Sequence, residues 1–155
     1  MRQYNGILPT PICSLGISYT DKIITWIEFL PRGTSCVAAT DPFWRDIGRE
    51  IQAYFDDPCH TFQLPYEMTG TPFQKRVWHA MCEIPLGQTV TYGDLAHELK
   101  SSARAVGNAC RRNPLPLIVP CHRIVSKQGI GGFAGAINGE LIEIKQWLLA
   151  HEAIK

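Results

Sequence analysis

The chain is 155 residues long, 45% hydrophobic and 19% charged, with a formal net charge of +1 at pH 7. That length gives one domain, or two small subdomains sharing a core, and needs no disulfide or metal staple to fold. The apolar content at so low a net charge excludes dominant disorder, and no apolar run approaches the roughly 18 residues of a membrane-spanning helix. Met1 to Asn5 lacks the apolar stretch of a signal peptide, so the chain reads as soluble and cytoplasmic.

In chain order, Ile12–Ser18 and Lys22–Leu30 are rich in β-formers and flank Tyr19-Thr20-Asp21, a hairpin signal. Both faces of the second segment are mostly apolar, which predicts a largely buried strand. Asp41-Pro42 opens a helix with an N-cap and a proline at its first position. Phe43, Ile47, Ile51 and Phe55 form its apolar stripe, and Asp57-Pro58 ends it. A short strand is predicted at Thr61–Leu64. The turn-rich Glu67-Met68-Thr69-Gly70 then marks a subdomain boundary, giving units 1–70 and 71–155.

Beyond it the pattern turns helical. Thr71-Pro72 caps a helix with Phe73, Val77, Trp78 and Met81 on one face. Thr91-Tyr92-Gly93-Asp94 resembles a capping box, with Asp for Glu, ahead of a short helix Tyr92–Leu99. Ser101-Ser102 caps a second, Ala103–Arg112, stopped by Asn113-Pro114. Two short helices joined by a tight turn are the pattern of a helix-turn-helix. Ala103, Val106, Gly107 and Cys110 form the packing face of the second, and Arg104 and Arg111 project outward. A final helix spans Glu140–Glu152, with Leu141, Ile144, Leu148 and His151 on one face. The fold class is α+β: a small, mainly antiparallel sheet with one helix, then a helical, winged-helix-like subdomain carrying the helix-turn-helix.

Charge is segregated along the chain. Between Glu98 and Glu140 no acidic residue occurs, while Lys100, Arg104, Arg111, Arg112, Arg123 and Lys127 all fall there. A basic face of this kind is the electrostatic footprint of a phosphate-binding surface, and a solvated basic loop gives the same count. The six cysteines have neither Cys-x-x-Cys spacing nor a secreted context, so zinc and a disulfide framework are not expected, and most should be small buried hydrophobes. Cys121 stands apart, because it precedes His122 and Arg123 within a proline-flanked apolar segment. A thiolate is a strong nucleophile when a base or positive charge stands near it. Neighbouring side chains on an extended segment diverge, so a Cys-His dipeptide needs a turn or a bridging water to work as a pair. Cys59-His60 is a second such dipeptide with no such context.

The run Ile118-Val119-Pro120-Cys121-His122-Arg123-Ile124-Val125 resembles the active-site motif of the O6-alkylguanine-DNA alkyltransferase family. Arg104-Ala105-Val106-Gly107-Asn108-Ala109, Asn113-Pro114 and Trp147-Leu148-Leu149-Ala150-His151-Glu152 reinforce the likeness, which is strong from Thr71 onward and looser before it. The resemblance implies a monomeric DNA repair protein that flips O6-alkylguanine out of duplex DNA and moves the alkyl group irreversibly onto its own cysteine. It implies no metal or organic cofactor. On that resemblance Cys121 is the alkyl acceptor, His122 the water-mediated base, Glu152 the carboxylate orienting it, and Asn113 the brace of the active-site turn. Tyr92 is the donor to guanine and Arg104 the finger that fills the stack. Arg111, Arg112 and Arg123 join the DNA-facing set, and Gly132-Phe133-Ala134-Gly135 is the lid, with Ala134 offering its backbone N–H to O6. The sequence departs from the family at Arg112, more often glycine; at Cys110, often a larger apolar residue; at Ala134, frequently serine; and at Ala136-Ile137-Asn138-Gly139, where a tighter glycine pair is common. A non-catalytic sensor of alkylated DNA and a helix-turn-helix regulator are the competing functions.

Overall fold

The structure is a computed structural model that describes residues 3–136 and 138–153. Met1, Arg2 and Ile137, on which parts of the leader and lid readings fall, lie outside the described residues. Contacts divide the chain into two compact units, Met1–Met68 and Thr69–Lys155.

The first unit is an antiparallel sheet in the order β1 (Gly6–Pro9), β2 (Ser14–Thr20), β3 (Ile23–Leu30), followed by α1 (Pro42–Asp56). The hairpin turn is Asp21-Lys22, both with positive φ, so β2 runs two residues, Tyr19 and Thr20, into the segment predicted as turn. Leu15 pairs with Phe29 and Ile17 with Ile27, all buried. β1 was not anticipated; its Gly6 and Pro9 are poor strand formers, and it forms by pairing with Gly16, Leu15 and their neighbours. Gly6 is required there because a Cβ would sit 2.5 Å from the Trp44 ring of α1. The outer face of β3 is only half-buried: Glu28 accepts hydrogen bonds from Tyr4 (2.9 Å) and Trp26 (3.0 Å). The strand expected at Thr61–Leu64 does not form, and a single parallel bridge joins Tyr66 to Ile24 instead.

α1 begins as predicted, with the Asp41 side chain accepting from the Trp44 amide and Pro42 in its first turn. Phe43, Ile47, Ile51 and Phe55 are all buried. At about 1.5–3 kcal/mol for each side chain removed from water, that stripe outweighs any propensity term in fixing the helix.

The second unit holds α2 (Pro72–Cys82), β4 (Val90–Thr91), α3 (Tyr92–Glu98), α4 (Ala103–Arg111), a 3-10 turn (Cys121–Arg123), β5 (Ile124–Val125) and α5 (Glu140–Ala153). A complete capping box starts α2: Gln74 N–H donates to Thr71 Oγ1 (3.1 Å), and Thr71 N–H to Gln74 Oε1 (2.9 Å). The buried Trp78 indole donates to the Ala109 carbonyl (2.8 Å), tying α2 to α4. At α3 only half the expected box forms, Asp94 N–H to Thr91 Oγ1 (3.0 Å), since aspartate is one methylene short for the return bond. On α4 the buried residues are Val106, Ala109 and Cys110, so Ala103 and Gly107, predicted to pack, stand on a more open side. β4 and β5 pair in parallel, Val90 with Ile124 and Thr91 with Val125. This short ladder brings the start of α3 beside the segment that follows Cys121. Among the described residues no helix is long and apolar enough to cross a membrane.

Candidate active site

Cys121 sits where the proline-rich loop tightens into the 3-10 turn. Asn113 holds that loop at both ends: its Oδ1 accepts from Leu115 N–H (2.9 Å) and its Nδ2 donates to the Val119 carbonyl (2.9 Å). Leu117 between them has φ 80°, a left-handed conformation that costs a non-glycine residue and persists because the surroundings hold it. The Cys121 amide then donates to Val119 (2.8 Å) and the Arg123 amide to Pro120 (3.0 Å). The turn answers the difficulty of an extended Cys-His pair, since successive side chains no longer alternate.

His122 is fully buried and its Nε2 lies 2.7 Å from Glu152 Oε2. A carboxylate accepts, so the ring proton belongs on Nε2 and Nδ1 carries the free lone pair. Nδ1 is buried and has no hydrogen-bond partner among the described residues. Burial lowers the His122 pKa below its ordinary 6.5, against the opposing pull of Glu152. The imidazole is therefore neutral at pH 7, the form a base must take.

Arg123 was placed by sequence with the DNA-facing residues, but its guanidinium turns inward. Nε and Nη2 donate to Glu152 (2.8 and 3.1 Å), and Nη1 donates to the Ile84 carbonyl (2.7 Å). With its donors engaged this way it anchors Glu152 rather than offering charge to solvent.

A cavity of about 500 Å³ opens over Cys121, walled by Tyr92, by Arg104, Gly107, Cys110 and Arg111 of α4, and by Gly132–Ala136. The lining residues include no carboxylate. Arg104 and Arg111 are exposed at its edge, as is Arg112 farther along. Ala134 and Gly135, with φ 51° and 87°, form a two-residue turn closed by mutual backbone hydrogen bonds between Phe133 and Ala136 (2.9 Å each). Ala134 is exposed there, and Phe133 is buried beneath it. Tyr92 donates weakly to the Gly132 carbonyl (3.4 Å); burial, then the nearby thiols Cys110 and Cys121, push its pKa up to about 12. It remains a protonated donor across the physiological range.

Cys121 is 6% exposed, and burial pushes its thiol up to about 11, with the Asn113 side chain and Lys145 pulling in the opposite direction. Cys110, held up to about 12 by burial, contacts the Met81 sulfur at 3.7 Å. Cys13 is also buried, but Cys36, Cys59 and Cys82 are exposed, so half the thiols depart from the expected burial.

Sequence reasoning passed over Lys145, which is fully buried and donates to the carbonyls of Ile124 (2.6 Å) and Gly132 (2.8 Å). The signal was present: Lys145, Leu148 and Glu152 follow helical spacing, so a face that carries Glu152 also carries Lys145. The predicted stripe is buried at Ile144 and Leu148 but only half-buried at Leu141 and at His151, which stacks on Trp147 at 4.8 Å.

A helix-turn-helix stands over a buried cysteine backed by a histidine–glutamate pair, and a motif of this kind presents its second helix to nucleic acid. Residues 72–154 match the family described as 6-O-methylguanine DNA methyltransferase, DNA binding domain. The chain is 35% identical to a methylated-DNA–protein-cysteine methyltransferase of Methanosarcina mazei, over 96% of both chains. It is also 35% identical to a constitutive one of Bacillus subtilis, over 97% of this chain and 96% of that one. Among solved structures, the Mycobacterium tuberculosis OGT in complex with DNA superposes with a TM-score of 0.78 at 31% identity, covering 95% of this chain and 91% of that one. The O6-methylguanine-DNA methyltransferase of Pyrococcus kodakaraensis gives 0.69 at 27% identity, covering 96% and 97%. The chain belongs to the O6-methylguanine DNA methyltransferase family.

Proposed function

We propose that this protein repairs duplex DNA by flipping O6-alkylguanine, chiefly O6-methylguanine, into the cavity and taking the alkyl group onto Cys121, once per molecule. The observation that carries this reading is the placement of the Cys121 thiol under a cavity whose wall is the exposed basic side of α4. A helix-turn-helix presents its second helix to a groove, and here that helix supplies Arg104 and Arg111, with Arg112 at its C-cap. An O6-alkyl group lies inside the stack, so the nucleotide must leave it, at a cost of a few kcal/mol. Arg104 enters the stack in its place, and phosphate contacts by Arg111 and Arg112 offset part of that cost.

In the cavity, His122 Nδ1 draws the thiol proton through one bridging water, while Glu152 holds the ring and stabilises the imidazolium that forms. The sulfur attacks the alkyl carbon, the C–O bond breaks as the C–S bond forms, and guanine departs with the electron pair. Tyr92 donates to the departing base, and the Ala134 amide faces O6. Asn113 keeps the acceptor turn in shape throughout. The thioether has no route back, so the protein acts stoichiometrically, as a cytoplasmic monomer without a cofactor.

The test is intact and peptide mass spectrometry after mixing with a duplex carrying one O6-methylguanine. A stoichiometric gain of one methylene on Cys121 is the expected result. Tight binding to the damaged duplex without that gain replaces this reading with a damage sensor.

A further inference from the structure

Three polar side chains stand exposed along α4: Arg104, Asn108 and Arg111. The rest of that face is low. Ala103 and Ala105 offer one methyl group each, and a Cβ placed on Gly107 would meet nothing within 4 Å. Whatever this helix reads is therefore read by the three side chains that rise from it. Two of them are guanidiniums, which only donate hydrogen bonds and so suit phosphate oxygens, which only accept. Asn108 differs in kind. Its carboxamide is uncharged and carries donors beside an acceptor, the combination that a base edge also presents.

The position of Asn108 fits that chemistry. It lines the cavity over Cys121 and also a second cavity, of about 510 Å³, between α4 and the start of α2, so it stands on the crest that divides them. Its side chain is exposed and makes no hydrogen bond among the described residues, so its amide has no task in holding the fold. It follows Arg104 by four residues, about one helical turn or ~5.4 Å along the same face. Successive nucleotides of one strand advance about 3.4 Å along a duplex. On the reading in which Arg104 fills the vacated stack, Asn108 therefore falls one to two base-pair steps away, beside the neighbour of the lesion.

Resting on the reading of α4 as the DNA-facing helix, we propose that Asn108 hydrogen-bonds the edge of the base pair next to the flipped guanine, and so makes repair depend on the sequence around the lesion. In the major groove adenine offers an acceptor and a donor that one carboxamide meets with two bonds. In the minor groove the guanine amino group is the donor that an A·T pair lacks. From either groove, an A·T neighbour and a G·C neighbour differ to Asn108. Phosphate contacts by Arg111 and Arg112 fix register and carry no sequence information directly. The low face of Ala103, Ala105 and Gly107 lets the helix come close enough for so short a side chain to reach.

The experiment measures second-order rates of methyl transfer from duplexes that carry O6-methylguanine with an A·T or a G·C pair on either side, for wild-type protein and Asn108→Ala. Neighbouring pairs also differ in how firmly they stack. That difference cancels when each wild-type rate is divided by the rate of the variant on the same duplex. The quotient is expected to differ about fivefold or more between an A·T and a G·C neighbour on one side of the lesion. A quotient that is the same for every neighbour makes Asn108 a sequence-blind contact and overturns the proposal. Thermal melts check that Asn108→Ala, an exposed substitution, stays folded. Equilibrium binding of both proteins to the same duplexes supplies a second arm that needs no chemistry. Should wild-type protein bind damaged duplex yet take no methyl group, the acceptor reading falls, and the contrast in Kd between neighbours still decides the role of Asn108. Absence of binding to every duplex overturns both.

Discussion

His122 and Glu152, thirty residues apart in sequence, meet at 2.7 Å with both side chains out of solvent, and among the described residues the imidazole nitrogen that faces away from Glu152 has no hydrogen-bond partner. One end of the ring is thereby fixed as donor and the other kept open as acceptor.

The first prediction concerns that pair. Glu152→Gln should slow methyl transfer by about a hundredfold at neutral pH, in the range that one acid–base group contributes. It should also cost on the order of 3–5 kcal/mol of stability, because Arg123 is left partly buried without its carboxylate. Single-turnover rates and denaturant melts separate the two effects, and a normal rate in a folded variant removes Glu152 from the relay.

The second is a pH dependence. The folded chain binds a proton on His122 only below the ordinary pKa of 6.5, whereas the unfolded chain binds it there. Stability from the buried neutral ring is therefore present above pH 6.5 and lost as pH falls through the lower folded midpoint. Transfer should keep its neutral-pH rate down to that same lower midpoint. A rate that already halves above pH 6.5 contradicts a neutral buried base.

The third prediction takes the proposed role of Arg104 in flipping. Its side chain is exposed at the cavity edge, so Arg104→Ala should leave stability within about 0.5 kcal/mol of wild type. Repair of duplex should slow by about tenfold or more, while transfer from the free base O6-benzylguanine is unchanged. Equal slowing of both substrates would place Arg104 in the chemistry, and no slowing of either would remove it from the site.

The fourth prediction tests the scaffold. Trp78→Phe removes the donor that satisfies the buried Ala109 carbonyl and should cost about 1–3 kcal/mol. Because that bond seats α4 against α2, affinity for duplex should fall more than the rate of transfer from free base. Thermal melts and binding isotherms report the two outcomes.

Helix positions were legible wherever a cap and an apolar stripe agreed. Asp41-Pro42 and Thr71-Pro72 each start a helix where predicted, and Phe43, Ile47, Ile51 and Phe55 are buried as their spacing requires. What escaped depends on partners distant in sequence. β1 forms by pairing with β2 and bridging to Val37, and the Ile24 edge takes Tyr66 rather than a strand at Thr61–Leu64. In the site, residue types and a family likeness brought out Cys121, His122, Asn113 and Glu152, and the structure brings them to one turn and the helix behind it. Arg123 and Lys145 were missed in opposite ways. A cation beside a catalytic motif reads as a ligand for phosphate, but Arg123 is matched inside by Glu152. A lysine in an apolar helix reads as surface unless its helical spacing from Leu148 and Glu152 is weighed, and the carbonyls of Ile124 and Gly132 hold it facing inward.

The depth of Cys121 also bears on how long the protein lasts unused. Oxidation of a cysteine follows its thiolate character and its exposure, and this sulfur offers little of either, being 6% exposed with its thiol held up to about 11. Exposed Cys36, Cys59 and Cys82 meet peroxide and disulfides first. A molecule that reacts only once must wait, sometimes for its whole lifetime, for a single lesion. On the proposed reading of Cys121 as acceptor, holding it as a buried thiol lets it wait without rusting.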